Sequence, residues 1–573
     1  MSSAAAIPAE TAGAGPQAAL DRALAELAGR KRAWAQTSIV ERVKLLDAVK
    51  TATHAVAGTW ARLGAEKKGL AEGSPLAGEE WTSGPWTLLV ALDNYRFTLA
   101  NLDGNRHIAG LPKRIGRSGQ TIVRVFPQSA FDRTLFSGIR AGVWMEPGVT
   151  PGNLSQYTAS AYRQPAAARG GKLSLVLGAG NISSISPLDV LHKLVAEHAV
   201  VMLKLNPVND YLRDVLAAAL RPLVDAGYVR IACGGADAGQ YLCNHPLVED
   251  IHITGSIASH DAIVFGSGAA GRRRKEANDP LNKRPITSEL GAVCPTIVVP
   301  GPWTEADLRL QAEHVATQKL HNSGFNCIAC QILVLPEDWT LTERFQSELR
   351  RVLASAPGRP LYYPGAPARL AEFAAHYPQA TRLRPPRQDA ERVVVALGKS
   401  GADDSYATQH EVFAPALAEV LLAAPDASSY LRTAIRYCND KLQGTLGANV
   451  LIDPQTLGEL GESFEEMIAD LKYGCIAVNA WTGLGFQLTQ TPWGAFPGHP
   501  LNDIQSGRGF VHNTLLFDRP ERSLVYGPFR PHPRPPWFVT HKRADKIGRR
   551  LVEFQYRPSW LKLPGIALQA LLG

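Results

Sequence analysis

The fold follows from residues 172–205, which read KLSLVLGAGNISSISPLDVLHKLVAEHAVVMLKL. Residues 173–178 form a short apolar run that predicts a strand, and a helical pattern begins at Ser186 and ends near His198. A second apolar run, residues 199–205, predicts another strand. A strand, a helix and a second strand in this order indicate a parallel β-α-β unit, whose ligands bind at the carboxyl ends of the strands.

Strands and helices continue to alternate on both sides of this unit. The predicted elements are, in chain order, helices over residues 18–66, strands within 120–150, a helix over 210–226, strands at 229–233 and 251–254, and a strand at 331–336 inside a second α/β region, 297–478. Parallel strands that alternate with helices predict a doubly wound fold of the α/β class.

The length and composition indicate an ordinary soluble protein of two or three domains. The chain has 573 residues, of which 45% are hydrophobic and 20% charged. No apolar run approaches the roughly 20 residues that span a bilayer. The seven cysteines are odd in number and irregularly spaced, which predicts a reducing cytoplasm rather than a disulfide framework. Residues 1–19 are Ala-rich and do not follow the pattern of a signal peptide, so we expect a disordered leader.

The net charge of +8 is concentrated in the C-terminal tail, residues 526–573. This tail contains nine Lys and Arg residues against Asp545 and Glu553, together with Trp537, Trp560 and an apolar end. The rest of the chain is almost neutral, which argues against nucleic-acid binding. Basic, aromatic and apolar residues together suggest peripheral contact with an anionic membrane. The alternative, a tail that covers a neighbouring subunit, is favoured because the prolines interrupt a long amphipathic helix.

A cysteine and a glutamate carry most of the chemical information. Cys327 lies in HNSGFNCIAC (residues 321–330), downstream of Glu289 in SELGA (residues 288–292). A thiol beside a base is a candidate nucleophile, and the carboxylate is also suited to activate water. The alternative is a buried structural cysteine, the commoner state of a lone thiol. Cys327 and Cys330 form a Cys-x-x-Cys pair, but with no second pair at zinc spacing we predict no metal site.

Polar residues at the ends of three predicted strands mark a nucleotide site. Asn181 follows the first strand, Lys204 lies at the end of the second, and Thr254-Gly255-Ser256 follows a third. Glycine permits close approach of a phosphate, which the N-terminus of a following helix attracts. Lys204 is placed to reach ribose hydroxyls, and the Asn181 amide is suited to stabilise an oxyanion. The alternatives are a solvated strand end, a turn-capping asparagine and an N-capped helix without a ligand.

The order of these motifs resembles that of the aldehyde dehydrogenase superfamily over roughly residues 20–515. The matching positions are Asn181, Lys204, Thr254-Gly255-Ser256, Glu289-Leu290-Gly291, Cys327, Glu411-Val412-Phe413-Ala414-Pro415 and Thr491-Pro492-Trp493-Gly494-Ala495-Phe496. The resemblance implies two doubly wound parallel-sheet domains plus a small oligomerisation sheet, in a homodimer or homotetramer. The implied units are residues 20–288 (N-terminal helices and cofactor domain, with part of the oligomerisation sheet at about 120–150), 289–490 (catalytic domain), 491–525 (return to the cofactor domain and an oligomerisation strand) and the tail.

The resemblance also implies a role for each matching residue. Cys327 is the nucleophile, and its backbone N–H together with the Asn181 side chain holds the oxyanion of a thiohemiacetal. Hydride transfer to NAD or NADP leaves a thioester, and Glu289 activates the water that hydrolyses it. The residues implied to bind the cofactor are Lys204, Gly255, Ser256, Glu411 on the nicotinamide ribose, and Phe413 beside it.

Three departures from the family pattern bear on specificity. Gly180 stands where an aromatic residue commonly precedes the asparagine, which is expected to open or reshape the pocket. Pro207 stands where a carboxylate would bind a ribose 2′-hydroxyl, which weakens a strict preference for NAD. Residues 272–275, Arg-Arg-Arg-Lys, are expected to form a loop that reaches a 2′-phosphate or coenzyme A. A solvated basic loop is the favoured alternative.

The function that these residues favour is oxidation of an aldehyde to a carboxylic acid with NAD or NADP. The first alternative is a coenzyme A-dependent acylating dehydrogenase or acyl-CoA reductase, and Glu289 argues against it because thiolysis needs no hydrolytic base. The second is a catalytically silent structural homologue, which the joint presence of Cys327, Glu289, Asn181 and Glu411 opposes. Four aromatic residues either line an apolar substrate tunnel or belong to the core: Phe325, Phe413, Trp481 and Phe486.

Overall fold

Two β-sheets and the helices that cover them form the computed structural model, which describes residues 15–385, 391–399 and 405–573. The strands in these ranges are β1 (Lys113–Ile115), β2 (Thr121–Phe126), β3 (Arg140–Met145), β4 (Lys172–Leu177), β5 (Ala199–Lys204), β6 (Val229–Ala232), β7 (Asp250–Gly255), β8 (Ile286–Leu290), β9 (Cys294–Val298), β10 (Cys330–Pro336), β11 (Thr381–Leu383), β12 (Arg392–Lys399), β13 (Ala416–Leu422), β14 (Gly447–Leu451), β15 (Cys475–Val478), β16 (Gly507–Arg508) and β17 (Pro520–Tyr526).

Helices precede, connect and follow these strands. In the first half of the chain they are α1 (Pro16–Gln36), α2 (Ile39–Lys67), α3 (Gly78–Trp81), α4 (Thr87–Ala100), α5 (Arg106–Ala109), α6 (Ala130–Leu135), α7 (Ile185–Glu197), α8 (Arg213–Ala219), α9 (Arg221–Asp225), α10 (Ala236–Asn244), α11 (Ile257–Val264) and α12 (Gly268–Glu276). In the second half they are α13 (Glu305–Leu320), α14 (Thr342–Ser355), α15 (Ala366–His376), α16 (Ser405–Gln409), α17 (Ala427–Lys441), α18 (Pro454–Leu460), α19 (Glu462–Asp470), α20 (Thr482–Leu488), α21 (Ala544–Tyr556) and α22 (Leu563–Leu571).

Both sheets are built mainly of parallel strands. The smaller sheet has the order β16-β8-β7-β4-β5-β6 and is parallel except where β16 pairs with β8. The larger sheet has the order β1-β2-β3-β17-β15-β14-β9-β10-β13-β12-β11, and its strands from β17 to β12 are parallel. The predicted α/β class with parallel sheets is confirmed.

The β4-α7-β5 unit positions the candidate site. In the smaller sheet, β4 lies between β5 and β7, and Leu177 is level with both Lys204 and Ile253. One strand further, Thr254 is level with Glu289. Because parallel strands end at the same edge, Lys204, Thr254 and Glu289 are brought to one side of the sheet.

The helix expected over residues 210–226 is interrupted. It forms as the separate segments α8 and α9, and Pro222 lies in the first turn of α9. Proline has no backbone N–H and crowds the preceding turn, so it is accommodated at a helix start and not in a helix interior. The two short helices therefore replace the single predicted one.

The basic segment at residues 272–275 is helical and not a loop. It forms the last part of α12, where Arg274 Nη1 lies 2.7 Å from Asp279 Oδ2 and Lys275 Nζ lies 2.7 Å from Asp261 Oδ2. Two of its four cations are therefore already paired with carboxylates. Arg272 and Arg273 are exposed.

Two expected boundaries also change. Helix α1 begins at Pro16, so residues 16–19 of the expected leader are helical, while residues 1–14 lie outside the described part of the chain. The boundary expected between residues 288 and 289 falls inside β8. Glu289 therefore belongs to the smaller sheet, and the thiol that it faces comes from the segment preceding β10 of the larger sheet.

The strands expected to form an oligomerisation sheet join the larger sheet of the same chain. Strand β17 pairs with β3 on one side and with β15 on the other, where Ser523 is level with Cys475. Strand β2 pairs with β3, and β1 is the edge strand at that end. The predicted homodimer or homotetramer stays a prediction.

The C-terminal tail packs against the N-terminal helices of its own chain. Trp81 Nε1 donates to Asp545 Oδ1 at 3.0 Å, and a side chain on Gly78 would meet the Ala544 backbone at 2.4 Å. Five of the tail's prolines lie at residues 528–536, before α21, and α21 buries Leu551 and Phe554. The prediction that the tail also covers a neighbouring subunit stays a prediction. Within the described ranges, no helix is both long and apolar enough to cross a membrane.

Candidate active site

Cys327 lies in the segment between α13 and β10. Asn322 and Ser323 have left-handed backbone conformations, with φ of 52° and 56°, so the chain turns sharply just before the thiol. The Cys327 Sγ atom donates a hydrogen bond to Glu289 Oε1 at 3.2 Å. The structure thus brings together the two residues that the sequence singled out as nucleophile and base.

The environment keeps this thiol protonated at rest. Burial, and then the charge of Glu289, raises the pKa of the Cys327 thiol well above its usual range. Burial, and then the charge of Asp189, raises the pKa of Glu289 as well. The resting pair is therefore a neutral thiol that donates to a carboxylate with increased proton affinity. Such a carboxylate is suited to accept the thiol proton as the sulfur attacks an electrophile.

The Asn181 side chain lies beside the segment that carries the thiol. Its Nδ2 donates to the Phe325 carbonyl oxygen at 3.0 Å, and Asn322 Nδ2 donates to the same oxygen at 3.1 Å. The Tyr362 hydroxyl donates to the Asn181 carbonyl oxygen at 3.3 Å. A primary amide has two N–H groups, so Asn181 retains a second donor for an oxyanion. That role remains a prediction.

Lys204, Gly255 and Ser256 lie at the carboxyl edge of the smaller sheet. A side chain on Gly255 would meet only Ile253, at 3.5 Å, so the backbone there is approachable. Ser256 caps α11 by accepting from the Ser259 N–H at 3.1 Å, and burial lowers the pKa of Lys204. An approachable glycine, a helix N-terminus and a lysine fit the phosphates and a ribose of a dinucleotide.

Glu411 and Phe413 lie in the segment before β13. The Glu411 carboxylate fills the space that a side chain on Gly291 would need. Its Oε1 is buried without a hydrogen-bond partner in the described part of the chain. Phe413 has φ of 45°, and its ring centroid lies 5.0 Å from that of Tyr363. A buried carboxyl oxygen without a partner is suited to a ribose hydroxyl.

Two cations that the sequence did not single out hold this segment in place. Arg369 donates to the carbonyl oxygens of Val412 and Phe413 at 3.2 and 3.3 Å. Lys319, buried near the end of α13, donates to the Ala414 carbonyl oxygen at 3.1 Å. Burial lowers the pKa of Lys319 to about 8. Neither residue lies in a recognisable motif. The only sequence feature that could have pointed to either of them is a lysine, Lys319, among the apolar positions of α13.

Replacement of Glu411 by glutamine is expected to flatten the dependence of stability on pH. Burial raises the pKa of Glu411 from 4.5 to about 8. A carboxyl with a raised folded pKa stabilises the protein fully below the unfolded value of 4.5, and that contribution is lost as pH rises through about 8. Glu411→Gln should therefore melt above the wild type at high pH, while the exposed control Glu276→Gln does not. Parallel melting curves across pH for Glu411→Gln and the wild type would contradict this assignment.

Gly180 does not open the pocket. A side chain at this position would meet Asn206 at 2.8 Å and the Tyr363 hydroxyl at 2.9 Å. These two side chains occupy the space that an aromatic residue would otherwise take. The expectation of a wider pocket is therefore wrong, while a pocket of altered shape is consistent with the packing.

A small pocket, defined here as the inner pocket, adjoins Cys327. Trp481 and Phe486, two of the four aromatic residues expected in a substrate tunnel, line it. The other two, Phe325 and Phe413, pack on each other with ring centroids 5.8 Å apart and do not line it. In the described ranges, no group of three or more His, Cys, Asp or Glu side chains is arranged to hold a metal ion.

Alkylation is expected to mark Cys327 before Cys330. Cys327 is partly exposed in the inner pocket, whereas Cys330 is fully buried at the start of β10. Brief treatment with iodoacetamide, followed by fragmentation of the peptide in a mass spectrometer, distinguishes the two thiols. The raised pKa of Cys327 predicts slow labelling that accelerates with pH. Earlier labelling of Cys330 would show that the nucleophile was misassigned.

Part of the chain is similar in sequence to a known family. Residues 191–362 match the sequence model of the aldehyde dehydrogenase family. Aldehyde dehydrogenase LUC3 from Fusarium sp. is 25% identical over 162 residues, which cover 28% of this chain and 32% of that protein. The match thus spans about a third of that relative's length. The segment matched by the family model contains the Cys327–Glu289 pair, Lys204, Gly255 and Ser256.

Solved structures share the fold over most of the chain. An aldehyde dehydrogenase from Mycobacterium tuberculosis, complexed with NAD⁺, is similar with a TM-score of 0.58, 16% identity and coverage of 90% of each chain. Gamma-glutamyl-gamma-aminobutyraldehyde dehydrogenase from Burkholderia cenocepacia J2315 is similar with a TM-score of 0.59 and 16% identity, covering 90% of this chain and 89% of that one. At this level of identity the similarity establishes the fold.

Proposed function

We propose that this chain is a divergent member of the aldehyde dehydrogenase family, whose sequence model matches residues 191–362, and that it oxidises an aldehyde to a carboxylic acid with NAD or NADP. The observation that carries the proposal is the 3.2 Å hydrogen bond from Cys327 Sγ to Glu289 Oε1. A buried structural cysteine needs no carboxylate partner, whereas a covalent catalyst needs a base that accepts its proton.

The first step is attack of Cys327 on the aldehyde carbon. As the C–S bond forms, the thiol proton passes to Glu289 and the carbonyl oxygen becomes an oxyanion. The Asn181 side-chain amide and the Cys327 backbone N–H are the proposed donors to that oxyanion. Tyr362 and Asn322 position the Asn181 segment, because the Tyr362 hydroxyl and Asn322 Nδ2 both donate to the Asn181 carbonyl oxygen, at 3.3 and 3.0 Å.

A bound nicotinamide cofactor supplies the oxidant that accepts the hydride from this adduct. Lys204, Gly255 and Ser256 are proposed to hold its adenosine and pyrophosphate parts, and Glu411 and Phe413 its nicotinamide ribose. Arg369 and Lys319 keep the Glu411 segment in position. The thiol proton leaves Glu289 for solvent before the next step. Glu289 then takes a proton from the water molecule that attacks the thioester on Cys327, and the carboxylic acid departs as the Cys327 sulfur regains a proton.

A panel of aldehydes, assayed with each cofactor and with or without coenzyme A, tests this function. We expect reduction of NAD or NADP with formation of a free carboxylic acid, and no requirement for coenzyme A. Formation of acyl-CoA as the main product would instead support the acylating alternative. Absence of cofactor reduction with every aldehyde, from a folded protein, would support a catalytically silent homologue.

The preference between NAD and NADP is proposed to be relaxed. Pro207 supplies no carboxylate for a ribose 2′-hydroxyl, and Arg272 and Arg273 are exposed on α12. We therefore expect similar turnover with NAD and NADP, and a strong preference for NAD would contradict this proposal. If Arg272 and Arg273 bind the 2′-phosphate, the double variant Arg272→Ala/Arg273→Ala should lose turnover with NADP only, and unchanged turnover with NADP would show that α12 takes no part in recognition.

We also propose a cytoplasmic homo-oligomer that contacts membranes through the end of its tail. Trp560 and Leu561 are exposed to 56% and 91%, and Leu568, Leu571 and Leu572 are exposed nearby. Exposed Arg549, Arg550 and Arg557 give the same region a positive charge. Aromatic and apolar side chains beside cations are typical of an interfacial contact with anionic lipid.

Co-sedimentation with vesicles of phosphatidylglycerol and phosphatidylcholine tests the membrane contact. Leu561→Glu is expected to reduce binding several-fold relative to the wild type, and high salt to reduce it further. Val40→Glu, at another exposed apolar residue, is the matched control and should bind as the wild type does. Equal binding by all three proteins, or none by the wild type, would end the proposal.

A further inference from the structure

Two cavities meet beside the candidate nucleophile. The inner pocket, which Cys327 lines, shares His321 and Gln487 with a larger cavity, defined here as the outer chamber. We propose that the outer chamber binds the apolar chain of the substrate, so that the enzyme prefers aldehydes with a long uncharged hydrocarbon chain. This inference rests on the proposed function and specifies its substrate class.

The inner pocket is too small to hold more than the reacting end of a substrate. It encloses about 30 Å³, whereas one water molecule needs roughly 10–15 Å³ on the same kind of measure. Apolar side chains such as Ile182, Ile328 and Trp493 form much of its wall. An aldehyde group therefore fits beside Cys327 only if the rest of the molecule extends elsewhere, and the cavity that adjoins it is the outer chamber.

The outer chamber has the size and the walls for an apolar chain. It encloses about 180 Å³, equivalent to roughly a dozen water molecules. Trp86, Phe136 and Leu484 contribute from the body of the protein, and the tail contributes Phe529, Leu551 and Ile566. The tail thus completes a cavity that the remainder of the chain does not enclose. Binding cavities of this kind take up ligands by excluding water from apolar surface.

The charged groups that line the outer chamber are already paired. Glu79 lies 2.9 Å from Arg359 Nη2, and its other carboxyl oxygen accepts from the Asn322 N–H at 2.8 Å. Arg534 Nε lies 3.3 Å from Glu313 Oε2. A substrate with a charged distal group would have to disrupt one of these pairs, whereas a hydrocarbon chain would not. The chemistry of the walls therefore favours an uncharged chain.

Steady-state rates with a series of unbranched aldehydes test the chamber. We expect kcat/KM to rise about four-fold for each methylene added from butanal, until the chamber is filled. Ala570 lines the chamber on α22, so Ala570→Trp should lower kcat/KM for octanal at least ten-fold and change that for butanal less than two-fold. Ala567→Trp, on the same helix but exposed, is the matched control and should leave both substrates unaffected.

A binding measurement without cofactor distinguishes failure of the chamber from failure of the proposed function. Calorimetry should detect octanamide binding to the wild type and to Ala567→Trp, with at least ten-fold weaker binding to Ala570→Trp. Octanamide binding by a protein that oxidises no aldehyde would support apolar-chain binding in the outer chamber and would refute the proposed aldehyde oxidation. Two results would contradict the proposal that the outer chamber binds the substrate chain: aldehyde oxidation that does not depend on chain length, or an equal effect of Ala570→Trp on butanal and octanal.

Discussion

Replacement of Cys327 by serine is expected to lower kcat by on the order of 10⁴-fold or more, because it removes the atom that forms the covalent intermediate. A serine hydroxyl has a far higher pKa than a thiol, and Glu289 is too weak a base to ionise it. The change is nearly isosteric at a partly exposed position, so the protein should melt close to the wild type. Steady-state assays with octanal, together with thermal unfolding, measure both quantities.

Cys330→Ala is the matched control for this prediction. Cys330 is three residues away and fully buried, so its loss should lower stability by about 1 kcal/mol and leave turnover intact. Residual activity of Cys327→Ser within ten-fold of the wild type would contradict covalent catalysis by this residue. Loss of activity in Cys330→Ala, with Cys327→Ser active, would transfer the role to the second thiol.

Replacement of Glu289 by glutamine is expected to lower turnover by about 10²–10⁴-fold without loss of stability. Glutamine keeps the shape of the side chain but accepts no proton from the thiol or from water. Burial raises the pKa of Glu289, so its stabilising contribution is present below pH 4.5 and lost as pH rises through the raised folded value. At neutral pH the neutral amide should therefore melt at or above the temperature of the wild type.

Loss of turnover without loss of stability in Glu289→Gln separates a catalytic effect from misfolding. Glu276→Gln removes an exposed carboxylate from α12 and should change neither rate nor melting temperature. The alkylation rate of Cys327 provides a further readout, because removing the charge of Glu289 lowers the pKa of the thiol. Unchanged turnover in Glu289→Gln would remove the base from the mechanism.

The carboxyl edge of the smaller sheet could be predicted from the sequence because parallel strands obey simple rules. Short apolar runs alternating with helices determine the class, and the ends of such strands meet at one edge. Lys204 and Gly255 could therefore be placed together from the sequence, whereas Glu289 was expected in the second domain because the strand that carries it was not predicted. The approach of Cys327 to Glu289 was different, because it depends on how two sheets pack, and only the motif order indicated it.

The tail shows where local patterns were insufficient. Its prolines predicted that a long helix would not form, and the proline-rich residues 528–536 are indeed not helical, whereas Pro564 is accommodated in the first turn of α22. Beyond that segment, burial of Leu551 and Phe554 against the N-terminal helices stabilises α21. Tertiary packing of this kind has no signal in residues 526–573 alone, and neither does the outer chamber that it creates.

Gly180 is a second position, within the site, where the local sequence did not predict the tertiary packing. Loss of a large side chain predicted open space, but Asn206 and Tyr363 fill it from other segments. The volume around one residue depends on neighbours that are distant in the sequence, because protein interiors pack without large voids. For the same reason, Arg369 and Lys319 could not be assigned to the Glu411 segment before the fold was known.

Mass spectrometry of Glu289→Gln after reaction with octanal and the preferred cofactor tests the central claim most directly. In this variant the pKa of the Cys327 thiol is lower, so attack on the aldehyde continues through the thiolate, whereas the attacking water has lost its base. Hydrolysis should become the slow step, so the acyl group accumulates as a thioester. We predict a mass increase equal to one octanoyl group, located by fragmentation on Cys327 and absent from Cys327→Ser. Reduction of one equivalent of cofactor with the acyl group on another residue, or on none, would contradict the mechanism.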